Sequence, residues 1–218
     1  MTSDDELFWL RLRAQYESAG DSLVRDGIAD PTAYLAAPVR VLFVLREPHG
    51  WAGADMGVQL RTGAKYAVWR RIGEWAAGIL GGFPEYGQIA NRQSQSVALR
   101  QIAVINLKKL PGGAAVEWAD FEEHVFFTRD ALREQIHRIA PSVIVACGTF
   151  GPVRWLLADA VDGGSLGERW CQLRGGALVL RSPHPAARGD KKEQYGRLAK
   201  TYADAMASIR KRSVDSPG

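Results

Sequence analysis

Cysteine is almost missing from this chain: Cys147 and Cys171 are the only two in 218 residues. Neither belongs to a CxxC pair or has a histidine nearby at ligand spacing. A disulfide framework, a zinc site and an iron–sulfur cluster are therefore not expected, and neither is any metal or cofactor. Cys147, inside the apolar run "VIVACG", reads as a small buried thiol. The phosphate-cradling patterns GxxxxGK[ST] and GxGxxG do not occur. No apolar stretch is long enough to span a bilayer. The start, "MTSDDELFWLRLRAQYE", has neither a basic n-region nor an apolar h-region, so a soluble, cytoplasmic protein without a membrane partner is expected. Strong charge is lacking too. A net charge of +4 and a pI near 9.2 suit an anionic partner but fall short of a dedicated nucleic-acid coat.

What the chain does have is 46% hydrophobic residues, enough for one good core, so residues 1–218 are expected to form a single monomeric domain with an ordered core of about 4–212. Four short apolar runs stand out: "VRVLFVL" (39–45), "QIAVINL" (101–107), "SVIVACG" (142–148) and "GALVLRS" (176–182). Their length and β-branching predict strands buried on both faces. Helical periodicity falls between and around them, at 4–26, 64–80, 119–139, 150–160 and 191–212, while 50–63 is Gly-rich and aperiodic. This alternation predicts an α/β fold, a three-layer α/β/α sandwich around a mainly parallel four-stranded sheet.

Ligands in such sheets bind beyond the carboxyl ends of the strands, and all four ends are unusual. The first breaks into Arg46-Glu47-Pro48-His49-Gly50, where Pro48 keeps Glu47 extended and stiffens its platform. Alone, Glu47 reads as a solvated loop acid paired with Arg46. The second ends in Asn106 followed by Lys108 and Lys109; an amide there can read a base edge, or simply form a turn. The third is "CGTFG", weak as a phosphate signal. The fourth, "SPHPAARG", clamps His184 between prolines with Arg188 close behind. An acid, an amide and a histidine at one edge of one sheet resemble an active site.

In their order, "VLFVLREPHG", "AVINLKKLPG", "PSVIVACGTFG" and "VLRSPHPAARG" resemble the motifs of the uracil-DNA glycosylase superfamily over roughly residues 39–190. There are departures. Leu45 or Arg46 stands where the first motif usually opens with Gly, and Glu47 replaces the more usual Asp or Asn. The last motif reads His-Pro-Ala instead of His-Pro-Ser, and the four cysteines of cluster-binding members are absent. The resemblance implies excision of uracil or another modified base from DNA. Glu47 would activate water and favour the sugar cation, and His184 would donate a hydrogen bond to the departing base. Asn106 would read the flipped base, with Pro48 in the pocket and Tyr66 or Trp51 as stacking aromatic. Lys108, Lys109, Arg188, Lys191 and Lys192 would face the DNA backbone. Two alternatives stay open: a nucleic-acid or nucleotide binding module without turnover, and a nucleoside-type small-molecule hydrolase using Glu47 and His184.

Overall fold

The computed structural model describes residues 3–50, 52–113 and 117–215. In chain order the elements are α1 (Ser3–Gln15), β1 (Gly27–Ile28), α2 (Pro31–Ala36), β2 (Val41–Leu45), α3 (Met56–Arg61), α4 (Ala67–Leu80), α5 (Tyr86–Ile89), α6 (Arg92–Arg100) and β3 (Ile102–Asn106). Then follow α7 (Trp118–Phe127), α8 (Arg129–Ile139), β4 (Val143–Cys147), α9 (Phe150–Leu156), β5 (Val161–Leu166), β6 (Trp170–Leu173), β7 (Leu178–Ser182) and α10 (Lys191–Asp215). No helix among the described residues is long and apolar enough to cross a membrane.

The fold is α/β, but among the described residues the sheet has seven strands, not four, in the order β1-β3-β2-β4-β7-β6-β5. The four expected strands form its parallel centre, β3-β2-β4-β7. The additions are antiparallel: β1 against β3 on one side, β6 and β5 beyond β7 on the other. Every residue of β2, β3 and β4 is buried, as runs apolar on both faces require.

Alternate strand residues feed two cores. Val41, Phe43, Val104, Val145 and Leu180 pack with Trp69, Ile72, Trp75 and Ile79 of α4 and with residues of α3, α6 and α10. Leu42, Val44, Ile105, Ile144 and Val179 pack with Phe121 of α7, Ile136 of α8 and Val153 of α9. In α4, the three- and four-residue spacing of Trp69, Ile72, Trp75, Ala76 and Ile79 puts one apolar stripe on the sheet. The expected single helix over 119–139 is two, meeting at Thr128, whose hydroxyl donates to the His124 carbonyl while its own carbonyl accepts from Leu132. The opening helix ends at Gln15 and not at 26, giving way to a 3₁₀ turn over Glu17–Ser22. Within the aperiodic 50–63 lies α3, started by the Asp55 carboxylate, which accepts from the backbone N–H groups of Gly57 and Val58.

The central strand order fixes where a ligand can sit. From β2 the chain crosses to β3 on one side; from β4 it crosses to β7 on the other. The connections diverge between the carboxyl ends of β2 and β4, and a divergence of this kind opens a crevice.

Candidate active site

The β2 end is held rigidly. Pairing between β2 and β3 runs on past both strands: Leu107 N–H donates to Leu45 O at 3.0 Å, Lys108 N–H to Arg46 O at 2.9 Å, and Gly112 N–H to Pro48 O at 2.9 Å. Pro48 is buried, and His49 bridges to Gly112. Glu47 is thus presented by a zipped double loop. Its side chain is only 9% exposed and its carboxylate lies 3.4 Å from the Lys108 ammonium. Lys108 also bonds the half-exposed Asp120 at the start of α7. Burial works against the Lys108 charge, but Asp120 and Glu47 more than offset it, so its pKa is raised. The hydrogen bond from Lys108 holds Asp120 below the usual carboxylate range.

Glu47 packs flat on Gly112. A Cβ built there would fall 2.0 Å from the Glu47 carboxyl carbon. Because the obstructed atoms are the tip of a side chain, Gly112→Ala should displace the carboxylate without unfolding the protein. The expected result is a loss of about 10²-fold in any reaction that uses Glu47, the scale for a displacement near 1 Å, with the melting temperature little changed.

His184 approaches from β7. Its loop turns tightly: Ala187 N–H donates to His184 O at 2.8 Å, and Ala186 N–H donates to Nδ1 at 3.2 Å. Nδ1 is therefore the acceptor, and the neutral ring carries its proton on Nε2. Gly148, at the end of β4 with φ +70°, donates its N–H to Ser182 O, and a Cβ built on it would be 3.5 Å from His184 Cβ. His184 thus lies against the end of β4, while Glu47 follows the end of the neighbouring strand β2. Burial, and secondarily the Arg46 guanidinium, push the His184 pKa down to about 4. The ring is neutral at pH 7 and has an N–H to give. An unfolded imidazole titrates near 6.5, so the contribution of neutral His184 to stability is complete above that pH and is lost as pH falls toward 4.

Asn106 is 1% exposed and turns toward α3. Its backbone N–H donates to Asp26 Oδ2 at 2.7 Å; its amide nitrogen contacts the same oxygen at 3.5 Å and Met56 Sδ at 2.9 Å. Only Oδ1 is left to accept. Lys109 is a correction. Expected to face DNA, it is 1% exposed, with its ammonium on both Asp26 oxygens at 2.8 and 2.9 Å and on Gln135 at 2.7 Å. Burial lowers its pKa and Asp26 opposes that. Lys108, clamped between Glu47 and Asp120, has no reach to a phosphate either. Arg188, Lys191 and Lys192 are exposed beside the His184 loop. Tyr66, 42% exposed, precedes α4 with the Lys65 ammonium over its ring; Trp51 lies outside the described residues.

Three further residues at this end were not assigned a role in the site by the sequence. Arg46 lies over the ring of Trp118, 5.9 Å from its centroid, and bears electrostatically on His184; Asp120 completes the Lys108 clamp. Arg46 was read from the sequence only as a partner for Glu47, and Trp118 and Asp120 lie in α7, far from the strand-end motifs. Two hollows lie elsewhere: a cavity of about 470 Å³ at the β1 edge, lined by Trp9, Arg25 and Arg61 among others, and an apolar groove of about 580 Å³ between α7 and α9. Glu47, Asn106 and His184 line neither. Among the described residues, no group of three or more His, Cys, Asp or Glu is placed to hold a metal ion. No protein-family model and no curated protein matches the chain.

Proposed function

We propose that this chain is a monomeric DNA glycosylase-like hydrolase of the uracil-DNA glycosylase type, built as a three-layer α/β/α sandwich and acting on a base flipped out of DNA. The observation that supports this reading is that a neutral His184, with its proton on Nε2, and a nearly buried Glu47 carboxylate follow the carboxyl ends of β7 and β2 in one parallel sheet, on either side of β4. Breaking an N-glycosidic bond leaves the electron pair on the base and positive charge on the sugar. The site has one group for each. His184 Nε2–H donates to the base oxygen as negative charge develops, and its neutrality means that donation needs no prior protonation. The Glu47 carboxylate favours the sugar cation and orients the water whose oxygen bonds to C1′; the water proton passes to the carboxylate.

Lys108 serves this by fixing the Glu47 rotamer, at the cost of part of its field. Asn106 offers an acceptor only, which suits a base edge bearing N–H, as in uracil, and opposes the bare ring nitrogen of cytosine. Arg188, Lys191 and Lys192 would meet the backbone, and their contribution should weaken as salt rises.

Polymer against monomer is the test that separates this reading from nucleoside hydrolysis. Oligonucleotides carrying one uracil or hypoxanthine should yield alkali-labile abasic sites, while the matching free deoxynucleosides stay intact. Cleavage of free deoxynucleosides at comparable rates would assign the site to small molecules. Tight binding of the oligonucleotide without abasic product would make the chain a binding module.

A further inference from the structure

Behind the His184 loop runs a buried polar chain that the reading above does not use. Gln95 on α6, Glu74 and Arg71 on α4, and Gln194 on α10 are each 6% exposed or less. Gln95 Nε2 donates to Glu74 Oε1 at 3.3 Å, and Arg71 Nε lies 3.5 Å from Glu74 Oε2. Arg71 also donates to Gln194 Oε1 at 2.7 Å. Gln194 then donates through Nε2 to the backbone carbonyl of Arg188 at 3.2 Å. That carbonyl closes the segment His184–Arg188, whose other end is fixed by Ser182 O on Gly148. Such a chain is costly to bury unless its members find partners.

The local backbone is built to admit this contact. Gly189 has φ +131°, and a Cβ there would lie 3.0 Å from Gln194 Nε2. Asp190 starts α10 by accepting from Glu193 N–H at 2.7 Å, which sets Gln194 under the loop. We infer that Gln194, held by Arg71, is the positioning residue of the His184 loop: it ties the loop to α4 and keeps the half-buried His184 against Gly148. The inference rests on the proposed role of His184 for its functional meaning, but its physical content concerns only where the ring sits.

Two variants perturb the same hydrogen bond from opposite sides without adding charge. Gln194→Ala removes the donor; Gly189→Ala strains the left-handed backbone and crowds the amide. Both are to be followed on the full-length chain by ¹⁵N-histidine NMR across pH 3 to 8, with the other three histidines as internal controls. In the native chain His184 should titrate at about 4. In both variants it should move toward the ordinary imidazole value of about 6.5, because a loosened loop returns the ring to water. Should Gln194→Ala fail to fold, Gly189→Ala decides alone. A His184 pKa that stays near 4 in a folded variant overturns the inference. The titration needs no substrate. If His184 moves as expected yet no oligonucleotide is ever cleaved, the glycosylase reading fails and the positioning role stands.

Discussion

Replacing Glu47 by glutamine should leave the chain folded and, if the proposed glycosylase reading holds, slow base excision by about 10²- to 10⁴-fold, the range for loss of a positioned acid–base group. The fold survives because little depends on the charge itself. Glutamine has nearly the same shape, Lys108 keeps Asp120 as its partner, and the loop is held by backbone bonds from Lys108 and Gly112. The chemistry suffers because a neutral amide can still orient a water but cannot take its proton or stabilise the sugar cation. Single-turnover cleavage of a lesion-bearing oligonucleotide, with thermal melting as the folding control, measures both. Oligonucleotide affinity should change little, since the Glu47 side chain is nearly buried. An unchanged cleavage rate would remove Glu47 from the mechanism.

The second large effect falls on stability. Lys109→Met should cost about 3 to 5 kcal/mol, because it strands the Asp26 carboxylate in the interior. Asp26, 8% exposed as a residue, takes two bonds from the Lys109 ammonium, one from Gln135 Nε2 at 2.8 Å and one from the Asn106 backbone. Removing the ammonium leaves neutral donors to solvate a full charge. The double variant Asp26→Asn, Lys109→Met should recover much of the loss, since it removes both charges together. Urea unfolding, with stability changes read from midpoints at constant slope, distinguishes the two. A single variant as stable as the native chain would mean that Asp26 is not the buried charge described.

How much of this was legible in the sequence depended on the reach of each interaction. The four apolar runs carried their own evidence, and β2, β3, β4 and β7 fall within them. Strands β1, β5 and β6 carried none: β1 is two residues long, and β5 is written "VDGGSL", which has no apolar alternation. The break at Thr128 was hidden because the apolar spacing continues across it; the hydroxyl that bonds His124 O looks like any mid-helix threonine. Glu47 and His184 stood out in the sequence because Pro48, Pro183 and Pro185 mark stiff strand ends locally. Lys109 was misjudged for the opposite reason. Nothing beside it announces Asp26, which lies in a distant loop and reaches it only through the folded β1–β3 edge. Adjacent lysines emerging from one strand go to opposite fates, Lys108 to Glu47 and Lys109 to the interior. The Gln95–Glu74–Arg71–Gln194 chain was equally silent, since its members come from three helices.

Mass spectrometry of an oligonucleotide incubated with the folded chain would show whether a base is released from DNA. Strands carrying a single uracil, hypoxanthine, xanthine or other modified base would be compared with an unmodified control. A glycosylase should leave at least one modified strand without the mass of its base and with a water gained, the free base in solution, and the control whole. Every strand retaining its full mass, with the protein shown folded by its melting transition, would contradict the glycosylase reading.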